Sequence, residues 1–342
     1  MSSFPTTPIA KLTGHTGLVH AVAYSSGAQT YILTGSSDRQ IRLYNPSKAP
    51  PSKAPPSSLA PATSSQPPAG LVNKYTAHGY EVLSLAIAAS NDKFVSTGGD
   101  KTVFLWDVQT AQTIQRWTGH AGRVNRGVFG GDDDGVVVTG SFDGTVRVWD
   151  TKSRAHKPIM TLSDAKDSIS DIAVHDAQIL AASVDGRVRC YDIRTGMCEV
   201  DVIGTSCTSL DISKKGTEVL VSSLDSTIRL MDRENGEMLK KYTDEAFVNK
   251  ELRVRSTLGL NDSVVLSGSD DGMVFAWDML GGTCLHRFKH SEMREVEGLT
   301  AAVQAKAKGK KDVVSAVAFC EKRREWCSGG GDGNVVVWGM GS

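Results

Sequence analysis

The stretch from Gly140 to Asp150, GSFDGTVRVWD, recurs six more times along the chain. The other copies are GSSDRQIRLYN, GGDKTVFLWD, ASVDGRVRCYD, SSLDSTIRLMD, GSDDGMVFAWD and GGGDGNVVVWG. Each enters an alternation of apolar and polar residues through a turn sequence, which reads as a strand after a tight hairpin. The turn aspartates are Asp38, Asp100, Asp143, Asp185, Asp225, Asp271 and Asp332. Six residues beyond each stands Tyr44, Trp106, Trp149, Tyr191, Met231, Trp277 or Trp338. The aspartates are spaced by 62, 43, 42, 40, 46 and 61 residues. A period of about forty, made of short strands ending in Trp-Asp, marks a propeller blade. Seven copies in register predict an all-β, seven-bladed propeller.

Seven such units take up nearly all of the 342 residues, so a single domain over residues 5–340 is expected. The segment from Pro5 to Leu12 precedes a complete first unit, whereas the seventh ends at Trp338 without an outer strand. The N-terminal segment is therefore predicted to complete the last blade and close the ring, which removes exposed sheet edges. The two longest spacings read as insertions. Residues 46–70 are rich in Pro, Ser and Ala and contain no aromatic residue; they carry too little apolar surface to fold and are predicted to be disordered. Residues 291–311, with Lys306, Lys308, Lys310 and Lys311, read as a charged, solvated insertion at the start of blade 7. A nuclear-import or RNA-contact element is the other reading.

Lysine plus arginine equals aspartate plus glutamate at 38 each, a balance that gives no support to a dedicated nucleic-acid binder. The six cysteines form no CxxC pair and suggest neither a zinc site nor a disulfide framework. No basic segment followed by an apolar run opens the chain, and no apolar stretch reaches the length of a membrane span. A soluble intracellular protein is expected. There is no glycine-rich phosphate loop and no metal-ligand cluster, so no cofactor and no metal are predicted. Asp132, Asp133 and Asp134 lack the alternating ligand spacing of a calcium loop and read as a solvated turn.

A histidine, a hydroxyl, an aspartate and an aromatic residue recur together. The sets are His15, Thr34, Asp38 and Tyr44; His78, Ser96, Asp100 and Trp106; and His120, Thr139, Asp143 and Trp149. Their residue types invite comparison with a hydrolytic triad, but three successive copies and the lack of a nucleophile elbow argue for structure. The expected arrangement is a buried hydrogen-bond chain in which the imidazole joins the hydroxyl to the turn carboxylate and the indole N–H reaches the hydroxyl. Blades 4 and 5 lose histidine and hydroxyl together, with Ala181 and Val221 in place of the latter. Ser267 remains in blade 6 without a histidine, and His290 is the expected partner of Ser328 and Asp332 in blade 7.

Seven blades leave a channel and two rims of loops, a form suited to binding rather than to chemistry. Phe142, Val184 and Leu224 each stand just before a turn aspartate, and Tyr80 and Arg123 follow the histidine positions. These five form the candidate partner-binding face. His20, Asn125 and Arg126 are weaker candidates for the same rim. Arg187, Arg189, Arg229, Arg253 and Arg255 would have to carry an RNA-binding reading, with dispersed solvated charge as the alternative.

The phrases TAHGYEVL, GGDKTVFLWDV, TGHAGRVN, GSFDGTVRVWD and AASVDGRVRCYDIRTG resemble WD40 repeat proteins. They resemble in particular the branch of that family that includes the mitogen-activated protein kinase organizers. The resemblance implies a non-enzymatic scaffold, monomeric outside its complexes, and two assembly roles. One is as a subunit of the active spliceosome in pre-mRNA splicing, with residence in nucleus and cytoplasm, the preferred expectation. The other is as a scaffold for a mitogen-activated protein kinase cascade. Direct RNA binding, read from the arginines and not from the resemblance, is the alternative class. The Pro-rich and Lys-bearing insertions and the missing Gly-His of blade 6 depart from the family pattern.

Overall fold

The computed structural model describes residues 4–49, 67–290 and 313–340. Within them, twenty-eight strands form seven four-stranded antiparallel sheets, one for each copy of the repeat. Blade 3 illustrates the plan. Its strands run from the inside outwards as Val124–Gly130, Val136–Ser141, Val146–Asp150 and Met160–Leu162. The repeat phrase contributes the end of the second strand, the turn and the third strand. Gly144 takes a φ of 76° in that turn, a left-handed conformation that costs glycine little.

Both faces of a blade are buried, each against a different neighbour, and this is why the second strands read as nearly unbroken apolar runs. Val138, Val146 and Val148 pack with Ile169, Ile172 and Ile179 of blade 4. Val137 and Trp149 turn the other way, onto Val95, Val103 and Leu105 of blade 2. Each large apolar side chain so enclosed contributes about 1.5–3 kcal/mol. The blades approach closely: a Cβ on Gly140 would lie 2.5 Å from Ile169 Cγ2.

The ring closes as the strand count requires. Thr7–Leu12 pairs antiparallel with Val335–Gly339, from Thr7 opposite Gly339 to Leu12 opposite Val335. The Trp326 indole donates to the Pro5 carbonyl at 2.8 Å, and Phe4 lies against His286, Phe288 and Trp326.

Blade 6 departs from the plan. Its inner strand is only Ser256–Gly259, and the chain before it loops into the channel. Of the insertion at 46–70, a 3-10 turn at Pro46–Lys48 is seen. Residues 50–66 lie outside the described residues, and so does the whole of 291–311 with its four lysines.

Candidate functional site

The histidines of blades 1 to 3 lie at one end of the sheets and join the loop before each inner strand to the turn between the second and third strands. In blade 3, His120 Nδ1 is 3.0 Å from the Asp143 carboxylate and Nε2 is 2.9 Å from the Thr139 hydroxyl; the Trp149 indole donates to that hydroxyl at 2.8 Å. A carboxylate only accepts, so the proton is assigned to Nδ1 and the threonine donates to Nε2. Blade 2 repeats the chain with His78 to Asp100 at 2.8 Å, His78 to Ser96 at 2.7 Å and Trp106 to Ser96 at 2.8 Å. In blade 1, His15 meets Asp38 and Thr34, both at 2.8 Å. Tyr44 does not complete that set, contrary to expectation: its longer reach carries the hydroxyl past Thr34 to the Thr13 carbonyl at 2.8 Å.

Burial by itself would raise the Asp143 carboxyl, but the Thr145 hydroxyl, His120 and the Thr145 N–H outweigh it and hold the group well below the usual carboxylate range. Burial lowers His120, against the pull of Asp143. Each hydroxyl is fully buried and held within its own set, so none can reach a substrate.

The other blades solve the same turn differently. Arg189 grips Asp185 at 2.7 Å and Arg229 grips Asp225 at 2.6 Å, while Ala181 and Val221 join the apolar clusters. In blade 6 Phe247 fills the space of the missing histidine and packs edge-on against Phe275 and Trp277. Ser267 instead continues a serine chain, meeting Ser256 at 2.9 Å, which meets Ser222 at 2.6 Å. His290 serves blade 7 with its ring turned round, Nδ1 to Ser328 at 2.8 Å and Nε2 to Asp332 at 3.4 Å.

The same end of the ring carries the candidate face. Tyr80 and Phe142 are 61% and 56% exposed, and the Arg123 guanidinium lies over the Phe142 ring at 5.2 Å. Val184 is also exposed, and Leu224 is half-buried. Blades 1, 2, 6 and 7 place Ser37, Gly99, Asp270 and Gly331 at the position before the turn aspartate, so at that position the bulky apolar side chains are confined to blades 3 to 5. Two weaker candidates do not belong to the rim. Asn125 is buried and bonded to Ser168 and Ile169, and Arg126 is turned into the channel, 3.2 Å from Asp171.

Four of the five arginines of the RNA-binding reading, Arg189, Arg229, Arg253 and Arg255, are not dispersed solvated charge. Arg189 and Arg229 hold turn aspartates, and Arg253 crosses the channel from blade 6. Its guanidinium donates to the carbonyls of Leu83, Asn125 and Ser170 at 3.3, 2.8 and 2.9 Å, on the inner strands of blades 2, 3 and 4. Arg255 meets Asp171 at 3.0 Å, and the Asp171 carboxylate also accepts from Leu210 N–H. Burial and the nearby Arg255 bring Arg126 down to about 9 and Arg253 to about 10, values that leave both charged at neutral pH. The 46-residue spacing of blade 6 was the only sequence sign of this device. Beside the mouth, His20 bonds Ser37 at 2.8 Å and is lowered to about 4 by burial and by Arg253 and Arg123.

No cluster suited to a metal ion occurs among the described residues. The WD domain, G-beta repeat profile matches residues 6–45 and 70–107, and the NUP159/214 beta propeller profile matches residues 107–258. Human WD repeat domain-containing protein 83 is 40% identical over 266 residues, which cover 78% of this chain and 77% of that protein. The chain belongs to the WD40-repeat family. A Dictyostelium discoideum homolog of WD repeat domain-containing protein 83 is 27% identical over 311 residues, 82% of this chain and 88% of the relative. The rat protein of that name is 43% identical over 132 residues, 39% of this chain and 41% of the relative. As a WD40 propeller with its histidine sets committed to internal bonds, the chain is a non-enzymatic protein-interaction scaffold.

Proposed function

We propose that this propeller is a scaffold for a mitogen-activated protein kinase cascade, working within a multi-subunit assembly and docking its components on the rim formed by Tyr80, Arg123, Phe142, Val184 and Leu224. One contrast carries the reading: the histidines and hydroxyls of blades 1 to 3 at this end are bonded inside the fold, while large apolar side chains beside them stand in solvent. Such side chains, with an arginine stacked on one of them, have the composition of a protein-binding hot spot. The kinase assignment is supported by the similarity to WD repeat domain-containing protein 83 and by the resemblance of the repeat phrases to the kinase-organizer branch. Assembly into the spliceosome, with residence in nucleus and cytoplasm, is the second reading, favoured by the lysines at 306, 308, 310 and 311.

Affinity purification of the full chain, with and without nuclease, separates them. Kinase-cascade components should co-purify with the native chain, survive nuclease and be lost from a folded Phe142→Asp variant. Recovery of splicing subunits alone would replace the kinase reading with the second one. Partners lost on nuclease treatment would point to RNA contact, and unchanged binding by Phe142→Asp would remove the rim from the proposal.

A further inference from the structure

We propose a second docking site at the opposite end of the sheets, in the groove between blades 3 and 4, for a partner segment that carries apolar side chains beside a lysine or arginine. The groove has a volume of about 700 Å³, within the usual range of ligand-binding clefts. Its floor is apolar, with Phe129, Val136, Met160 and Val174, and at its edges Ile159 and Ile193 are 60% and 43% exposed.

Two local features open it. The outer strand of blade 3, Met160–Leu162, has three residues, where those of the neighbouring blades, Thr113–Thr118 and Cys198–Val202, have six and five. The connector leading to it is drawn the other way: Gln115 of blade 2 donates to the carbonyls of Ser153 and Ala155 at 2.9 and 3.1 Å. The chain that would cover the groove is thus fastened to blade 2.

Charge decides the occupant. Asp132, Asp134 and Asp176 line the groove against a single cation, Arg194. Asp134 is engaged, accepting from Ala89 N–H at 2.6 Å. Asp132 makes no side-chain hydrogen bond among the described residues, and the Asp176 side chain, 3.4 Å from His175 Nδ1, is 80% exposed and open to a further cation. Carboxylates rimming an apolar floor complement a cationic side chain next to an apolar one. The groove of about 600 Å³ between blades 1 and 2 is apolar as well but has no charged lining residue, so the acidic rim does not follow from the architecture.

Short random peptides displayed on phage and selected against the immobilised full chain test the assignment. The selected sequences should place apolar residues beside lysine or arginine. Their affinity should fall about tenfold or more in Ile159→Glu and in the double variant Asp132→Asn, Asp176→Asn, and should weaken with salt. Phe142→Asp should leave it unchanged. Circular dichroism melts of each variant establish that these surface changes leave the fold intact. Failure to enrich any sequence, a consensus without a basic residue, or binding that survives Ile159→Glu would each overturn the proposal. So would binding lost in Phe142→Asp alone, which would place the peptides on the other rim.

Discussion

Asp143 accepts hydrogen bonds from His120, from Ala121 N–H and from both the N–H and the hydroxyl of Thr145. Replacing it with alanine leaves the buried imidazole proton only the more distant Thr145 hydroxyl, at 3.3 Å, and takes the acceptor from the Thr145 N–H; the expected loss of stability is about 1–3 kcal/mol. Asp271 occupies the same turn position in blade 6, but it is exposed, and among the described residues its carboxylate accepts from Met273 N–H alone. Asp271→Ala should cost within about 0.5 kcal/mol of nothing. Equilibrium urea unfolding compares the two, and equal losses would show that the histidine chain adds nothing to the turn. A second residue-scale prediction concerns acid. The unfolded chain protonates His20 near 6.5, whereas the folded chain resists down to about 4. Its contribution is therefore complete above the unfolded value and is lost as pH falls through that window, and the lowered His120 acts with the same sign. His20→Gln should flatten the fall of the urea midpoint between these two values; an unchanged slope would show that His20 is not held neutral. The histidine sets were legible in the sequence because residue type and spacing repeat together. Tyr44 was not, since spacing places a ring but not the carbonyl its hydroxyl reaches.

At the scale of the element, blades 4 and 5 show that one turn can be held by two chemistries, an imidazole from the preceding loop or a guanidinium four residues on. Blade 6 uses neither, and its surplus residues become the loop that sends Arg253 across the channel. The spacing of 46 announced those residues, but an arginine in an alternating pattern looks solvated, and nothing local reveals acceptors 83, 128 and 170 positions away. Arg253→Met should cost about 2–4 kcal/mol, because it leaves inner-strand carbonyls of three blades without their donor and keeps most of the side-chain volume. Arg253→Lys should recover only part of this, as an ammonium lacks the planar fork that serves diverging acceptors. Calorimetric melting of both variants is the measurement. A melting point unchanged in Arg253→Met would reduce the crossing to a surface contact.

For the whole molecule, the ring was legible by arithmetic. The surplus strand before the first repeat matches the strand missing after the last, and Thr7–Leu12 fills that place. What arithmetic leaves out is how much the latch contributes. Strand pairing from Thr7 to Leu12 is accompanied by burial of Phe4, Ala10 and Leu12 and by the bond from Trp326 to Pro5. Removing residues 1–12 would strip these groups and expose Val335–Gly339 as an open edge of apolar residues, able to pair with another chain. Two buried large side chains and one buried indole donor together imply a loss of several kcal/mol, at about 1.5–3 kcal/mol for each side chain and about 1–3 kcal/mol for the donor. The shortened chain should melt earlier and associate as concentration rises, by sedimentation velocity, and a synthetic peptide of residues 4–13 should restore both properties. The opposing case also has a physical basis, since the inner strands of blades 7 and 1 touch directly, with Ser315 donating to the Val19 carbonyl at 2.8 Å. A shortened chain that stays monomeric and melts unchanged would assign closure to that inner contact and leave the outer strand as a cover for the edge.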